Sequence, residues 1–209
     1  MNALLRYEKT FNRKHTVNAL AGYSEEEYAY FFENGYRKNL INNSQPELNL
    51  GDVATQTNNS GREELGLQSF FGRIGYIYAD KYLFEANVRY DGSSRFGDGH
   101  KWGTFPSFSI GGRTSEEKFM QNIKWLTNLK IRASWGKLGN QNINSYYAAI
   151  NVLSTGNNYS LAGNLKPGVA TTSLANTGTK WETTTQTNVG IDLGVGKNWN
   201  FTLDYFYKK

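Results

Sequence analysis

Alternation of polar and apolar side chains is the strongest pattern in this sequence. It is clearest over residues 181–193, where one face is formed by Thr183, Thr185, Thr187, Val189, Ile191 and Leu193. The opposite face holds Glu182, Thr184, Gln186, Asn188 and Asp192. A period of two residues is typical of a β-strand with one apolar and one polar surface.

The same period recurs in seven further segments of the chain. It is strong over residues 82–91, where Leu83 is the only exception, and over residues 129–135 and 201–207. It is weaker over residues 3–10, 15–30, 70–78 and 107–114. The pattern predicts an all-β, antiparallel, up-and-down fold with roughly eight strands.

The predicted connections alternate between short and long. Short turns fall at residues 11–14, 79–81 and 194–198, and longer loops at residues 34–68, 91–102 and 137–180. Outer-membrane β-barrels have short periplasmic turns and long extracellular loops, so the turns define an inner end of the strands and the loops an outer end.

Two connections carry additional local predictions. The inner connection at residues 114–127 predicts a helical turn capped by Ser115, with Glu116 and Glu117 in its first turn. The run at residues 146–152, inside the last long loop, is compatible with an added hairpin.

Alternation alone fits either a soluble β-sandwich, with its apolar face inward, or a membrane barrel, with that face outward. Two features favour the barrel. The segments at residues 181–193 and 82–91 match the ~9–11 residues of a spanning strand rather than the ~5–6 of an average strand. Aromatic residues also lie near strand ends, as in interfacial girdles; they are Tyr76, Tyr78, Tyr82, Tyr90, Trp135 and Trp199.

Composition agrees with strands and excludes membrane helices. The chain has 15% aromatic residues, 22 glycines and only 3 prolines. Its mean hydropathy is −0.62, and no run approaches the roughly 18 apolar residues of a helical span. The net charge of +5 is spread along the chain beside acidic residues, so we expect no nucleic-acid partner. With no cysteine, disulfides and thiolate sites are excluded.

Specific motifs then resemble one family. SFFGRIGYIYADKYLFEANVRYDGSSRFG, KWGTFPSFSIGGRTSEEKFM, WLTNLKIRASWGKLGNQNI, KWETTTQTNVGIDLG and NFTLDYFYKK follow one another along residues 69–209. In this order they resemble successive barrel motifs of SusC/RagA TonB-dependent outer-membrane transporters. Residues 1–68 resemble the family only loosely, through LRYEKTFNRKHTVNALAGY. Gly112 and Thr114 depart from the bulkier apolar pair expected there, which thins the lipid-facing surface.

The resemblance implies a segment of a roughly 22-stranded barrel in the outer membrane of a Gram-negative bacterium. Residues 1–209 are expected to be a partial barrel domain without plug domain, signal peptide or C-terminal closing strand. The implied partners are the lipid bilayer, a SusD-like lipoprotein and TonB, the last two through other parts of the protein. The implied cargo is an oligosaccharide or a peptide. A soluble carbohydrate-binding sandwich is the alternative, and a passive porin ranks third.

Catalytic and metal-binding patterns are absent from the sequence. His15 and His100 have no partner at ligand spacing, DGSSRFGDGH lacks the spacing of an EF-hand, and there is no phosphate loop or nucleophile elbow. We therefore expect neither an enzyme nor a cofactor. Outer loops rich in aromatic, amide and carboxylate groups are suited to sugar or peptide contacts; the candidate ligand-binding residues are Asp91, Arg95, Trp102, Asn140, Gln141 and Trp181.

Overall fold

The computed structural model describes residues 1–209, and strands are its main regular elements. In chain order they are β1 (Asn2–Phe11), β2 (His15–Tyr36), β3 (Thr57–Tyr78), β4 (Tyr82–Ser93), β5 (Trp102–Arg113), β6 (Leu126–Asn140), β7 (Val152–Thr155), β8 (Tyr159–Leu161), β9 (Asn164–Lys166), β10 (Val169–Ser173), β11 (Glu182–Val195) and β12 (Trp199–Lys208). Its helices are three-residue 3₁₀ turns. None of them is long or apolar enough to cross a membrane.

Eight strands form one sheet in the order β1-β2-β3-β4-β5-β6-β11-β12. Neighbours in the sheet are neighbours along the chain, except that β11 follows β6 after the small hairpins of the last loop. This arrangement confirms the eight predicted strands and the up-and-down, antiparallel fold. The predicted turns at residues 11–14, 79–81 and 194–198 are also confirmed, since each joins two paired strands.

Several strands extend beyond the predicted limits. The sequence placed a loop at residues 34–68, but β2 continues to Tyr36 and β3 begins at Thr57, so the connection is residues 37–56. Likewise β6 continues to Asn140 and the adjoining loop is residues 141–181. The alternating pattern fades in these extensions because polar residues occupy both faces. Ladder hydrogen bonds join backbone groups, so they form there without an apolar face.

Residues 27–66 form a separate compact unit. It contains the outer parts of β2 and β3 and their connection, with 3₁₀ turns at Leu48–Leu50 and Val53–Thr55. Arg37 fixes this connection, because its guanidinium donates to the Gln56 side-chain oxygen at 2.7 Å and to the Gly51 carbonyl at 3.5 Å. Asp52 caps the second turn by accepting the amide hydrogen of Ala54.

In the other unit, residues 1–26 and 67–209, the pairing register aligns apolar side chains in rows across the strands. One row runs from Phe84 through Ile110, Ala133 and Val189 to Tyr205. This apolar face is uncovered: Ile110 is 59% exposed and Tyr205 is 73% exposed. A soluble sandwich would bury such a face against a second sheet, so the structure favours the membrane barrel over that alternative.

The buried apolar residues of the chain are Phe96 and Phe105. Phe105 lies on the polar face of the sheet, and Phe96 belongs to the loop that joins β4 to β5. The small core therefore sits at the outer ends of the strands and holds loops in place, while the strands themselves are held mainly by ladder hydrogen bonds.

The inner connection between β5 and β6 corrects one prediction. Its 3₁₀ turn is Thr114–Glu116, with Arg113 at the N-cap and no side-chain cap, so Ser115 lies inside the turn instead of capping it. The turn is held from outside: Lys81 Nζ donates to the Glu116 carbonyl at 2.5 Å, and Tyr82 Oη donates to Glu117 at 3.0 Å. These bonds position the turn without a cap. The predicted helical turn itself, with Glu116 in its first turn, is confirmed.

The long outer loop at residues 141–181 contains two small hairpin sheets. β7 pairs with β10, and β8 pairs with β9. The interpretation of residues 146–152 as a hairpin was wrong, because only Val152 of that run is in a strand. The partner of β7 lies beyond the β8–β9 hairpin, and this separation hides the pairing from a local sequence pattern.

Candidate functional site

The polar face of β4, β5, β6 and β11 forms an open groove of about 500 Å³. Alternation places Glu85, Asn87, Arg89 and Asp91 of β4 along it, opposite serines of β5 and β6 and Gln186 of β11. The groove thus offers carboxylate, guanidinium, amide and hydroxyl groups side by side. Such a lining can hydrogen-bond polar solutes.

Asp91 lies at the outer end of this groove, paired with Arg89. The Arg89 guanidinium donates to both Asp91 oxygens, at 3.2 and 3.0 Å, and to the Ser69 hydroxyl at 3.3 Å. The same guanidinium stands 5.2 Å above the Phe71 ring. Asp91 is therefore a fixed acceptor on the groove wall. Arg89 was outside the predicted set, although its position two residues before Asp91 on the same face was a usable signal.

Arg95 and Phe96 belong to the outer loop at residues 94–101. The Phe96 ring is 1% exposed and lies 5.3 Å from the Trp181 ring, which also contacts Phe105 at 5.2 Å. Trp181 Nε1 donates to the Lys101 carbonyl at 3.0 Å, so the indole closes the base of the loop at residues 94–101. Of the six predicted residues, Trp181 thus belongs to this packed cluster, and Arg95 is the sequence neighbour of its central residue Phe96.

Arg95 and Gln141 carry buried polar atoms. Arg95 Nη1 donates to the Ile143 carbonyl at 2.7 Å, and its guanidinium lies 4.3 Å above the Tyr146 ring. Arg95 Nε and Gln141 Oε1, by contrast, are buried without a hydrogen-bond partner. Buried polar atoms normally have partners, so at each of these two atoms a bound water molecule or ligand group would complete the hydrogen bonding.

Asn140 and Trp102 lie apart from that cluster. The Asn140 amide donates to Glu182 at 2.9 Å across the β6–β11 pair. Trp102 stacks on Tyr90, with ring centroids 4.7 Å apart, on the apolar side of the sheet. This placement favours an interfacial aromatic role for Trp102.

Two charged residues of the outer loop between β4 and β5, Asp98 and Lys101, are paired with each other. Lys101 Nζ lies 2.8 Å from Asp98 Oδ1, and the hydrogen bond and positive charge of Lys101 lower the pKa of Asp98. No cluster of three His, Cys, Asp or Glu side chains in the chain is arranged to hold a metal ion. His15 instead bonds the Tyr76 hydroxyl, with Nδ1 and Oη 2.7 Å apart.

A three-strand ion network crosses the polar face nearer the inner end. Arg132 of β6 lies 3.3 Å from Asp192 of β11 and 2.8 Å from Asp204 of β12. Thr202 Oγ1 also donates to Asp192, at 3.1 Å. Sequence reasoning placed these residues on the polar face but missed the network, because only the register brings positions 132, 192 and 204 together.

This network predicts an order of stabilities. Arg132→Gln leaves two neighbouring carboxylates without their shared cation, whereas Asp204→Asn leaves one complete ion pair. In the full-length protein in detergent micelles, Arg132→Gln should therefore lower the unfolding temperature more than Asp204→Asn does. An equal or smaller effect of Arg132→Gln would contradict the shared cation, because the pair with Asp192 would then add nothing to the pair with Asp204.

Comparison with known proteins agrees with this architecture. Residues 2–209 match the family described as TonB dependent receptor-like, beta-barrel. TonB-dependent receptor P39 of Formosa agariphila is 38% identical over an alignment covering 97% of this chain and 19% of that protein. TonB-dependent receptor SusC of Bacteroides thetaiotaomicron is 38% identical over 61% of this chain and 13% of its own length.

Solved structures give the same result. The RagAB peptide transporter matches with a TM-score of 0.87 and 25% identity, over 99% of this chain and 23% of that one. The chain thus spans about a fifth of the length of its relatives. The two-faced sheet, the alternating connections and these matches lead to one conclusion: the chain belongs to the TonB-dependent receptor-like β-barrel family.

Proposed function

We propose that the protein containing this segment is a SusC/RagA-like importer of the Gram-negative outer membrane, which takes up oligosaccharides or peptides with a SusD-like surface lipoprotein. The eight-stranded sheet then belongs to the barrel wall. The plug and the segment that receives energy from TonB are supplied by other parts of the protein. The segment itself performs no catalysis.

The observation that carries this proposal is the opposite character of the two sheet faces. Uncovered Phe, Ile, Val and Leu side chains on one face are suited to lipid, because lipid-facing and lumen-facing residues alternate along barrel strands. The opposite face carries the polar groove and the Arg132 network. A solute passing along this face finds hydrogen-bonding groups over most of the strand length.

The six candidate residues take different roles in this proposal. Two of them present fixed polar groups at the outer end of the wall. Asp91 is held by Arg89, and Asn140 is held near Glu182. Arg95, Gln141 and Trp181 lie in the outer loops, where Arg95 Nε and Gln141 Oε1 are buried polar atoms available to a ligand group. Trp102 lies on the apolar side and is assigned to the membrane interface.

Uptake by the whole protein tests the proposal. Deleting the gene should abolish growth on either an oligosaccharide or a peptide mixture as the sole nutrient, and the full gene should restore it. A variant lacking the plug, produced at an equal level, should not restore growth. Normal growth of the deletion strain on both nutrient classes would contradict the assignment. Affinity purification of the tagged protein should also recover a lipoprotein.

A further inference from the structure

Three aromatic side chains occupy alternate positions of β2, within the compact unit of residues 27–66. They are Tyr28, Tyr30 and Phe32, and we call them the aromatic stripe. The ring centroids of Tyr30 and Phe32 are 6.0 Å apart, and the two ring planes are tilted by 31°. Tyr28 is 48% exposed and Tyr30 is 46% exposed. The stripe therefore presents a row of aromatic rings that a solute can reach.

The aromatic stripe lies on the polar face of its strand. A Cβ atom added at Gly61 of β3 would overlap the Phe32 ring, so this ring lies directly over the β3 backbone. Asn18 lies over Gly75 in the same way, in a pocket that Arg132 also lines. Both contacts join an even position of β2 to an odd position of β3, so alternation places the stripe on the strand face of Asn18. In the proposed importer this face is turned to the solute and not to lipid.

Hydrogen-bonding side chains of β3 lie beside the stripe. Three contacting pairs of β2 and β3 have residue numbers that add to the same total, as in an antiparallel pair with one register. These pairs are Asn18 with Gly75, Gly22 with Phe71, and Phe32 with Gly61. The same register places Glu63 opposite Tyr30, and Asn59 opposite Asn34 at the end of the stripe. A carboxylate and two amides thus flank the rings.

The charges of this unit favour a neutral ligand over an anionic one. Residues 27–66 contain six acidic and three basic residues. Arg62 lies on the opposite face of β3, 2.6 Å from Glu64, and Arg37 and Lys38 belong to the connection after β2. The face of the stripe consequently carries Glu63 but no lysine or arginine. Its oxygen atoms can accept hydrogen bonds from hydroxyl groups, whereas the carboxylate would repel sulfate or uronate groups.

We propose that the aromatic stripe is a binding site for a neutral oligosaccharide. The faces of pyranose rings carry carbon-bound hydrogens that stack on Tyr and Phe rings, and the hydroxyl groups at their edges bond polar side chains. Because the aromatic rings repeat along one strand, a chain of sugar units can contact more than one ring at once. This inference rests on the proposed import function, and it narrows the cargo from oligosaccharides or peptides to neutral oligosaccharides.

Binding by the full-length protein in detergent micelles tests the site. Isothermal titration calorimetry is carried out with neutral hexamers of α-linked glucose, β-linked glucose, mannose and xylose, with anionic hexagalacturonate, and with the peptide hexalysine. Tyr30→Ala removes the central ring, and Tyr30→Phe keeps the ring without its hydroxyl group. Phe31→Ala is the matched control, because Phe31 is 64% exposed on the opposite face of the same strand.

At least one neutral hexamer should bind the wild type, and Tyr30→Ala should weaken this binding by about five-fold or more. Phe31→Ala should bind as the wild type does, and Tyr30→Phe should keep most of the affinity. Equal affinities of Tyr30→Ala and Phe31→Ala would overturn the site. Binding of hexagalacturonate or hexalysine but of no neutral hexamer, or no binding at all, would overturn the ligand class. Growth on the oligosaccharide and peptide mixtures, measured in parallel, reports separately on the import function.

Discussion

Phe108→Arg should lower the free energy of unfolding of the full-length protein by about 2–4 kcal/mol, because the new cation lies at the middle of the barrel's lipid-facing surface. Phe108 is 46% exposed on the apolar face. It lies near the middle of β5, paired with Ala86 and Trp135. A guanidinium there would stand in hydrocarbon without a partner. The measurement is equilibrium unfolding in lipid vesicles with urea.

Two control variants separate charge from packing. Ser109→Arg places the same cation one residue further along β5, on the polar face opposite Glu85, where we expect a change of less than about 1 kcal/mol. Phe108→Leu removes the stacking with Trp135, whose ring centroid lies 6.0 Å away, but adds no charge. If Ser109→Arg were as damaging as Phe108→Arg, the assignment of the two faces would be wrong.

Phe96→Ala should lower the free energy of unfolding by about 3–5 kcal/mol, the usual range for a buried phenylalanine replaced by alanine. Phe96 is the largest fully buried side chain, and its loss leaves a cavity beneath Trp181. Because the ring anchors an outer loop, the effect should be local. We expect limited proteolysis to cleave within residues 94–101 of Phe96→Ala while the strands remain protected.

Phe119→Ala is the matched control for that experiment. Phe119 is 70% exposed in the inner connection, and exposed substitutions usually change stability by no more than about 0.5 kcal/mol. Unchanged protease resistance of the loop in Phe96→Ala would contradict the role of this cluster as the anchor of the outer loops.

The sequence predicted well those strands that have one apolar face suited to lipid and one polar face. In β4 and β11 the lipid-facing and polar-facing residues alternate along the strand, so the sequence predicted both faces, while the strands extend to Ser93 and Val195, beyond the predicted ends at residues 91 and 193. Residues 57–68 escaped prediction because polar side chains occupy both faces, and backbone pairing alone makes them a strand. Ser115 was misplaced because Lys81 and Tyr82, distant in sequence, hold the turn that it was expected to cap.

The sequence predicted only part of the candidate site, again because some contacts depend on residues that are distant along the chain. Outer loops with polar and aromatic residues are recognisable, and Trp181 does pack against Phe96 of another outer loop. Two partners of the candidate residues, Phe105 beside Trp181 and the carbonyl of Ile143 beside Arg95, depend on register and loop packing. A single sequence carries little record of such contacts, since each joins segments separated by other strands.

The most direct test of the central claim is an accessibility scan of β11. Single-cysteine spin labels are placed at residues 186–192 of the full-length protein in lipid bilayers, since this segment has no native cysteine. Oxygen dissolved in lipid should speed the relaxation of the spin label most at positions 187, 189 and 191. A water-soluble nickel chelate should do so most at positions 186, 188 and 192. If the two sets of positions exchanged these responses, or if every position were equally accessible to water, a barrel wall with its apolar face in lipid would be contradicted.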